Sequence, residues 1–161
     1  MAAIEASFDD SRIRDFIAAA RVAHLATADR KGTPHNVPLC YCFIGESIYF
    51  VIDNKPKRAP AMALKRMRNI AENPRVAVVI DHYEEDWTKL AYVLIAGAAR
   101  IVRNTKEYAR AMRRLRAKYP QYRAMNLRRD INPVVRIDPK RVHVWGARFQ
   151  RAARGHKRQL K

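Results

Sequence analysis

YFVIDNKPKRAPAMALKRMRNIAENPRVAVVI, residues 49–80, sets the architecture: it reads as strand, basic turn, helix, strand. Ser47 to Ile52 is β-branched and aromatic, which suits a pleated, half-buried surface. Asp53 and Asn54 break that run. Lys55, Lys57 and Arg58 follow around Pro56, and Pro60 suits the first turn of a helix. A strand feeding a cationic turn at a helix N-terminus is a candidate anion site. Ammonium and guanidinium groups supply charge-assisted hydrogen bonds, and free backbone N–H groups add to them. Arg66 and Arg68 come one to two turns later and can reach the same region. The helix, about 59–72, carries Met62, Leu64, Met67 and Ile70 near helical spacing, which marks them as core. Asn73-Pro74 ends it, because the residue before proline avoids the helical region. Val76 to Tyr83 is then a strongly β-branched strand.

Upstream, Asp9 to Arg21 reads as a helix with Asp9, Asp10 or Ser11 as cap and Ile13, Phe16, Ile17 and Ala20 on one face. Val22 to Ala28 is a short strand. Asp29-Arg30-Lys31-Gly32 is a hairpin turn, its glycine placed where positive φ is needed. Thr33 to Phe43 is a second strand in which Val37, Leu39, Tyr41 and Phe43 alternate with Asn36, Pro38, Cys40 and Cys42. Pro34 and Pro38 cannot donate to a ladder, which places this strand at an edge or a bulge.

Downstream, Glu84-Glu85-Asp86 is an acidic turn, and Leu90 to Val102 is a long strand with a bulge expected at Gly97. Lys106 to Lys118 is an amphipathic helix with Tyr108, Met112 and Leu115 as its apolar stripe and arginines over the rest. Gln121 to Asn132 reads as irregular. Val134 to Ile137 and Val142 to Trp145 read as two short strands about Asp138-Pro139. Tyr83 and Tyr92 are expected in the core. The pattern is mainly β: six or seven strands in hairpins with two or three inserted helices suit an antiparallel barrel with peripheral helices. One barrel domain is expected over residues 1–147, followed by a basic C-terminal tail over 148–161.

The chain has 161 residues and a formal net charge of +18, which points to anionic partners or to a solvated arginine-rich surface. No stretch is long and apolar enough to span a bilayer. No leader pattern opens the chain, so a cytoplasmic protein is expected. Cys40 and Cys42 read as small core residues rather than a disulfide or a zinc pair. The five histidines, His24, His35, His82, His143 and His156, lack ligand spacing, so no metal is expected. His35, on its proline-flanked strand, is the one of the five that stands beside a candidate site.

Four stretches together resemble the pyridoxamine-phosphate-oxidase-like split β-barrel family of flavin and deazaflavin oxidoreductases. They are RVAHLATADRKGTPHNVP (21–38), IDNKPKR with LKRMRNIAENPRVAVVID (52–58 and 64–81), DHYEEDWTKLAYVLIAGAARI (81–101) and VHVWGA (142–147). Within the family, the KPK and DHYEEDW pair is most similar to deazaflavin-dependent members. The resemblance implies an FMN-binding type of split barrel, a homodimer, and FMN or the deazaflavin coenzyme F420 at the subunit interface. It implies that Lys55, Lys57 and Arg58 hold the phosphate and that Arg66 and Asn69 contact the cofactor from the helix. His35, Asn36, Val37 and Pro38 would run alongside the ring, and Ile52 and Asp53 would end the strand over it. Trp87 and Trp145 would fall where the partner subunit can approach the ring. The arginine-rich region 106–129 has no place in that pattern.

A redox cofactor carries its own chemistry, so the lack of a triad or carboxylate pair does not argue against an enzyme. No catalytic residue is assigned. The expected activity is hydride transfer to or from a small organic substrate. A flavin- or haem-binding carrier without turnover and a basic nucleic-acid-binding barrel are the alternatives. The latter is disfavoured because the aromatics follow the core period instead of standing beside the basic residues. The arginine helix offers a cationic track for the glutamate tail of F420.

Overall fold

The computed structural model describes residues 2–53 and 60–150. Strand β1 is Ile4–Glu5, helix α1 is Ser11–Ala19, and strands β2 to β5 are Ala23–Ala28, Pro34–Leu39, Cys42–Ile44 and Ser47–Val51. Helix α2 is Lys65–Glu72, followed by β6 (Arg75–His82) and β7 (Ala91–Ile101). Helices α3 (Thr105–Lys118) and α4 (Gln121–Ala124) precede β8 (Val134–Trp145). The antiparallel sheet runs β3-β2-β6-β7-β8-β5-β4, with β1 added to β8. It curls into a half-barrel whose terminal strands, β3 and β4, do not pair with each other. The proline-bearing strand is therefore an edge, where a missing N–H costs least.

Period-2 burial along β6 and β7 turns Val76, Val78, Ile80, Val93 and Ile95 into the barrel. Helix α1, capped by the Asp10 carboxylate, which accepts from Arg12 N at 2.9 Å, adds Ile13, Phe16 and Ile17 to the same core. Strand β5 is buried on both faces: Ile48 and Phe50 face the barrel, while Tyr49 and Val51 face a second core under α3. That double burial explains its continuous apolar run. Tyr108, Met112 and Leu115 of α3 form the expected stripe in the second core. Lys106, Arg110, Arg113 and Arg114 lie exposed on its other side.

Gly32 closes the first hairpin at φ 85°. At Gly97 the register jumps: Ala96 lies opposite Arg141 and Gly97 opposite Pro139, leaving Lys140 as the extra residue of a bulge. The extra residue absorbs Pro139, which has no N–H, so the two short strands expected about Asp138-Pro139 are one continuous β8. The second strand, by contrast, splits. Tyr41 leaves the ladder because its N–H donates to Tyr119 Oη at 3.0 Å and its hydroxyl to the Ile17 carbonyl at 2.5 Å. Across this break the expected face is kept: Phe43 packs against the barrel core with Val37, Leu39 and Tyr41, while Cys42 and Ile44 are buried on the other side in the second core. Cys42 is a core thiol whose pKa burial raises to about 12, and Cys40 is half-buried.

The helix after the basic turn also breaks. Ala61–Ala63 is a 3₁₀ turn, and Leu64 is extended before α2 begins. The break rotates Met62 out of register with Met67 and Ile70, leaving it 48% exposed instead of core. Tyr83 is likewise exposed, because β6 ends at His82. Tyr92 is half-buried and stacks on Trp145. The acidic turn is paired within its own hairpin: Lys89 Nζ lies 2.6 Å from Glu84 and 3.5 Å from Asp86. Phe149, within the stretch read as the basic tail, is buried edge-on against Phe16 of α1, with ring centroids 5.4 Å apart. Residues 151–161 lie outside the described residues.

Tyr119 staples α3 to the barrel. Its hydroxyl accepts from Tyr41 N and shares its proton between the Arg21 carbonyl at 2.8 Å and the Tyr41 carbonyl at 2.9 Å. Tyr119→Phe orphans buried backbone groups and is expected to cost about 1–3 kcal/mol, read as a lower urea midpoint. Beside it, Lys118 Nζ sits 4.0 Å from the Tyr41 ring centroid, buried without a hydrogen-bond partner among the described residues. Burial lowers its pKa to about 8 from 10.5. Between those values the unfolded chain binds more protons than the folded one, so stability rises as pH increases from about 8 towards 10.5. Lys118→Met is expected to remove that rise and to add on the order of 1–2 kcal/mol near neutrality, measured by denaturation at three pH values.

Candidate functional site

Apart from Trp87, the expected cofactor residues that are described gather at two places on the half-barrel. The first is its mouth, between β2, the end of β5 and α2. Helix α2 is fixed there by the β2–β3 turn. Lys65 Nζ lies 2.8 Å from Asp29 Oδ2, and Glu72 Oε2 accepts from Arg30 N at 3.2 Å. The Lys65 hydrogen bond draws the Asp29 pKa down to about 2. This bracing aims Arg66 and Asn69, neighbours at i and i+3, towards the mouth. Asn69 is fully buried: its Nδ2 donates to Thr27 Oγ1 at 3.0 Å, and Thr27 Oγ1 donates to the His35 carbonyl at 3.3 Å. Its Oδ1 has no partner among the described residues. A buried acceptor left unmade is costly, so this oxygen is suited to a ligand N–H or O–H.

Arg66 is half-buried, which lowers its pKa, while the charge of Asp53 opposes that shift. Ile52 and Asp53 are pinned from the far side. Asn132 Nδ2 donates to the Ile52 carbonyl at 2.9 Å, and Tyr122 Oη donates to Asp53 Oδ2 at 3.1 Å. Burial raises the Tyr122 pKa, so the phenol stays protonated as a donor. Lys55, Lys57 and Arg58 lie outside the described residues. Thr27, Tyr122 and Asn132 carry no local sequence signal for a role here; each arrives through the fold.

The second place is the outer face of the sheet. Paired residues of neighbouring strands share a face, so His35 and Val37 go with Thr27 and Leu25 towards the barrel. Asn36 and Pro38 go with Ala26 and His24 to the outside. The four-residue stretch 35–38 therefore serves both surfaces. A cavity of about 310 Å³ on the outer face is lined by His24, Ala26, Asn36, Ala77, Val79, Asp81 and Tyr92. Tyr92 stacks on Trp145 at 5.7 Å and 10°. Trp87, in a 3₁₀ turn, is 72% exposed and belongs to neither place within one chain. A larger groove of about 920 Å³ beside α1 shares His24 and Asp81 with this cavity. His24 Nδ1 and Asp81 Oδ1 are 3.4 Å apart. Among the described residues no group of three metal-ligating side chains forms, and no helix is long and apolar enough to cross a membrane.

The family model described as pyridoxamine 5'-phosphate oxidase matches residues 10–146. The chain belongs to that family. This family member matches no curated protein in sequence. Its fold is shared with a conserved hypothetical protein from Mycobacterium tuberculosis, at 21% identity and TM-score 0.71 over 89% of each chain. The haem storage protein HutZ from Vibrio cholerae is similar at 14% identity and TM-score 0.64, over 85% of this chain and 93% of that one. An FAD-binding protein from Mesorhizobium loti is similar at 20% identity and TM-score 0.64, over 89% and 97%.

Proposed function

We propose that this family member is a homodimeric oxidoreductase that binds FMN or F420 between its protomers and passes a hydride to or from a small organic substrate. The observation that carries the reading is Asn69. Its orphaned, fully buried amide oxygen lies one helical turn from the half-buried Arg66, on the helix that follows the basic stretch. An acceptor and a cation held in one mouth fit a ligand with both polar ring edges and an anionic end. Lys55, Lys57 and Arg58 hold the phosphate in this reading, and His35, Val37 and Ile52 flank the ring. Asn36, Pro38 and Trp145 lie on the outer sheet face, where a second protomer packs in this reading. The cofactor supplies the redox chemistry; the chain binds it, orients it and excludes water.

The test is titration of the purified protein with FMN and with F420, followed by mass spectrometry of any ligand released on denaturation. A bound cofactor at one per protomer is expected, with a dimer in solution. Unchanged spectra for both cofactors would overturn the reading. The fold it shares with the haem storage protein HutZ makes a carrier the second reading. Reduction of a dye by the reduced cofactor separates the two.

A further inference from the structure

Helix α3 exposes Lys106, Arg110, Arg113 and Arg114, and its turn places all four within an arc of about 100° on the outer side. Among the described residues none of the four meets a carboxylate. The helix carries one acid, Glu107, and that is held by Arg136 at 3.0 Å and Arg100 at 3.3 Å. The segment after α3 adds to the same surface. Arg129 donates to the Arg103 carbonyl at 2.9 Å and to Thr105 Oγ1 at 2.7 Å, beside the first turn. Arg123 donates to the Arg116 carbonyl at 3.1 Å, beside the last turns. Both are exposed, and neither meets an acid among the described residues. Like charges three and four positions apart weaken a helix, so the row from Lys106 to Arg114 costs stability until an anion neutralises it. The helix keeps its place because the opposite stripe, Tyr108, Met112 and Leu115, fills the second core.

We propose that this row is an interaction surface for the phosphate backbone of duplex nucleic acid, bound without regard to sequence. From residue 106 to 114 an α-helix rises about 12 Å, the axial reach of three to four phosphates of one strand. Cations held at that spacing displace the counterions condensed along the strand. A rigid row suits a duplex, whose phosphates keep a fixed spacing. None of the exposed large hydrophobics, Val22, Met62, Tyr83, Trp87 and Ile131, lies on α3, so no platform for base stacking stands among these cations. The same fact favours nucleic acid over a lipid surface. A helix lying on a bilayer buries its apolar face in the lipid, and the apolar face of α3 already packs in the core. Strand β5 separates the row from the barrel interior: Ile48 and Phe50 face the barrel, while Tyr49 and Val51 face the core under α3. The inference is therefore independent of the cofactor reading.

The test measures binding of a short fluorescein-labelled DNA duplex by anisotropy, between about 50 and 200 mM salt. For the wild type, log affinity is expected to fall against log salt with a slope of about −4 to −5. Arg110→Gln, Arg113→Gln and Arg114→Gln together are expected to make that slope shallower by about 2.7 and to lower affinity about tenfold or more at the lowest salt. The same three positions changed to Lys keep the slope, because an ammonium serves as a point charge for phosphate. A control with Arg30→Gln, Lys31→Gln and Lys140→Gln removes as many exposed cations elsewhere and is expected to leave the slope within about 1 of wild type. An equal loss in that control would make the attraction a property of the net charge of +18 and overturns the proposal. So does a wild type that leaves the duplex free at the lowest salt, or a Lys variant that loses the slope. Tighter retention by phosphatidylserine vesicles than by the duplex would assign the row to a membrane surface instead. Displacement of the duplex by F420 but not by FMN would make the row a seat for the coenzyme's glutamate tail, which also overturns the proposal.

Discussion

Lys57→Glu is expected to abolish cofactor retention, lowering FMN or F420 affinity by about a hundredfold or more. A charge-assisted hydrogen bond to phosphate is worth about 1.5–3 kcal/mol, and reversal adds repulsion to that loss. The thermal midpoint is expected to hardly move, because a surface cation, which is how the sequence reads Lys57, is usually dispensable for stability. Equilibrium dialysis against each cofactor, paired with a melting curve, reads both quantities. Full retention with an unchanged melt would place the phosphate elsewhere. Loss of retention with a collapsed melt would instead make Lys57 part of the fold.

Gly97→Val is expected to be strongly damaging for stability. A Cβ at this position would stand 2.5 Å from the Asp138 carbonyl oxygen and 3.2 Å from Pro139 Cα, both backbone atoms that cannot rotate aside. Strand β8 would have to move, and β8 pairs with β1, β5 and β7. A cost of about 3 kcal/mol follows from such overpacking. For a domain of this size that lowers the melting temperature by roughly 6–12 °C. Calorimetry would show it, and a shift within error would mean that the bulge tolerates a side chain.

Much of the fold was legible because local pattern reports burial. The β-branched run at 76–83, the stripe Tyr108, Met112, Leu115, and the turn at Gly32 each state a preference that a few neighbouring residues satisfy. The sequence misled where a long-range contact outweighed that preference. Tyr41 looked like one more inward strand residue, yet its N–H leaves the ladder for Tyr119, 78 positions away. Met62 fitted the helical stripe, yet the chain breaks at Leu64 and turns it out.

The candidate site divides in the same way. Arg66, Asn69 and the basic turn stood out from residue type and from their place after a strand. Their supports did not: Thr27 reaches Asn69 across 42 positions, Tyr122 reaches Asp53 across 69 and Asn132 reaches Ile52 across 80. By itself the sequence determined the strand and helix faces, the hairpin turn, the cationic stretch and the family it resembles. Only the tertiary structure decided which way Asn36 and His35 divide between two surfaces, that β8 runs unbroken past a proline, and that a tyrosine from the arginine-rich segment holds the acid at the end of β5. The physical reason is that a short window encodes whether a side chain prefers burial, whereas its partner is chosen by the closure of the whole sheet.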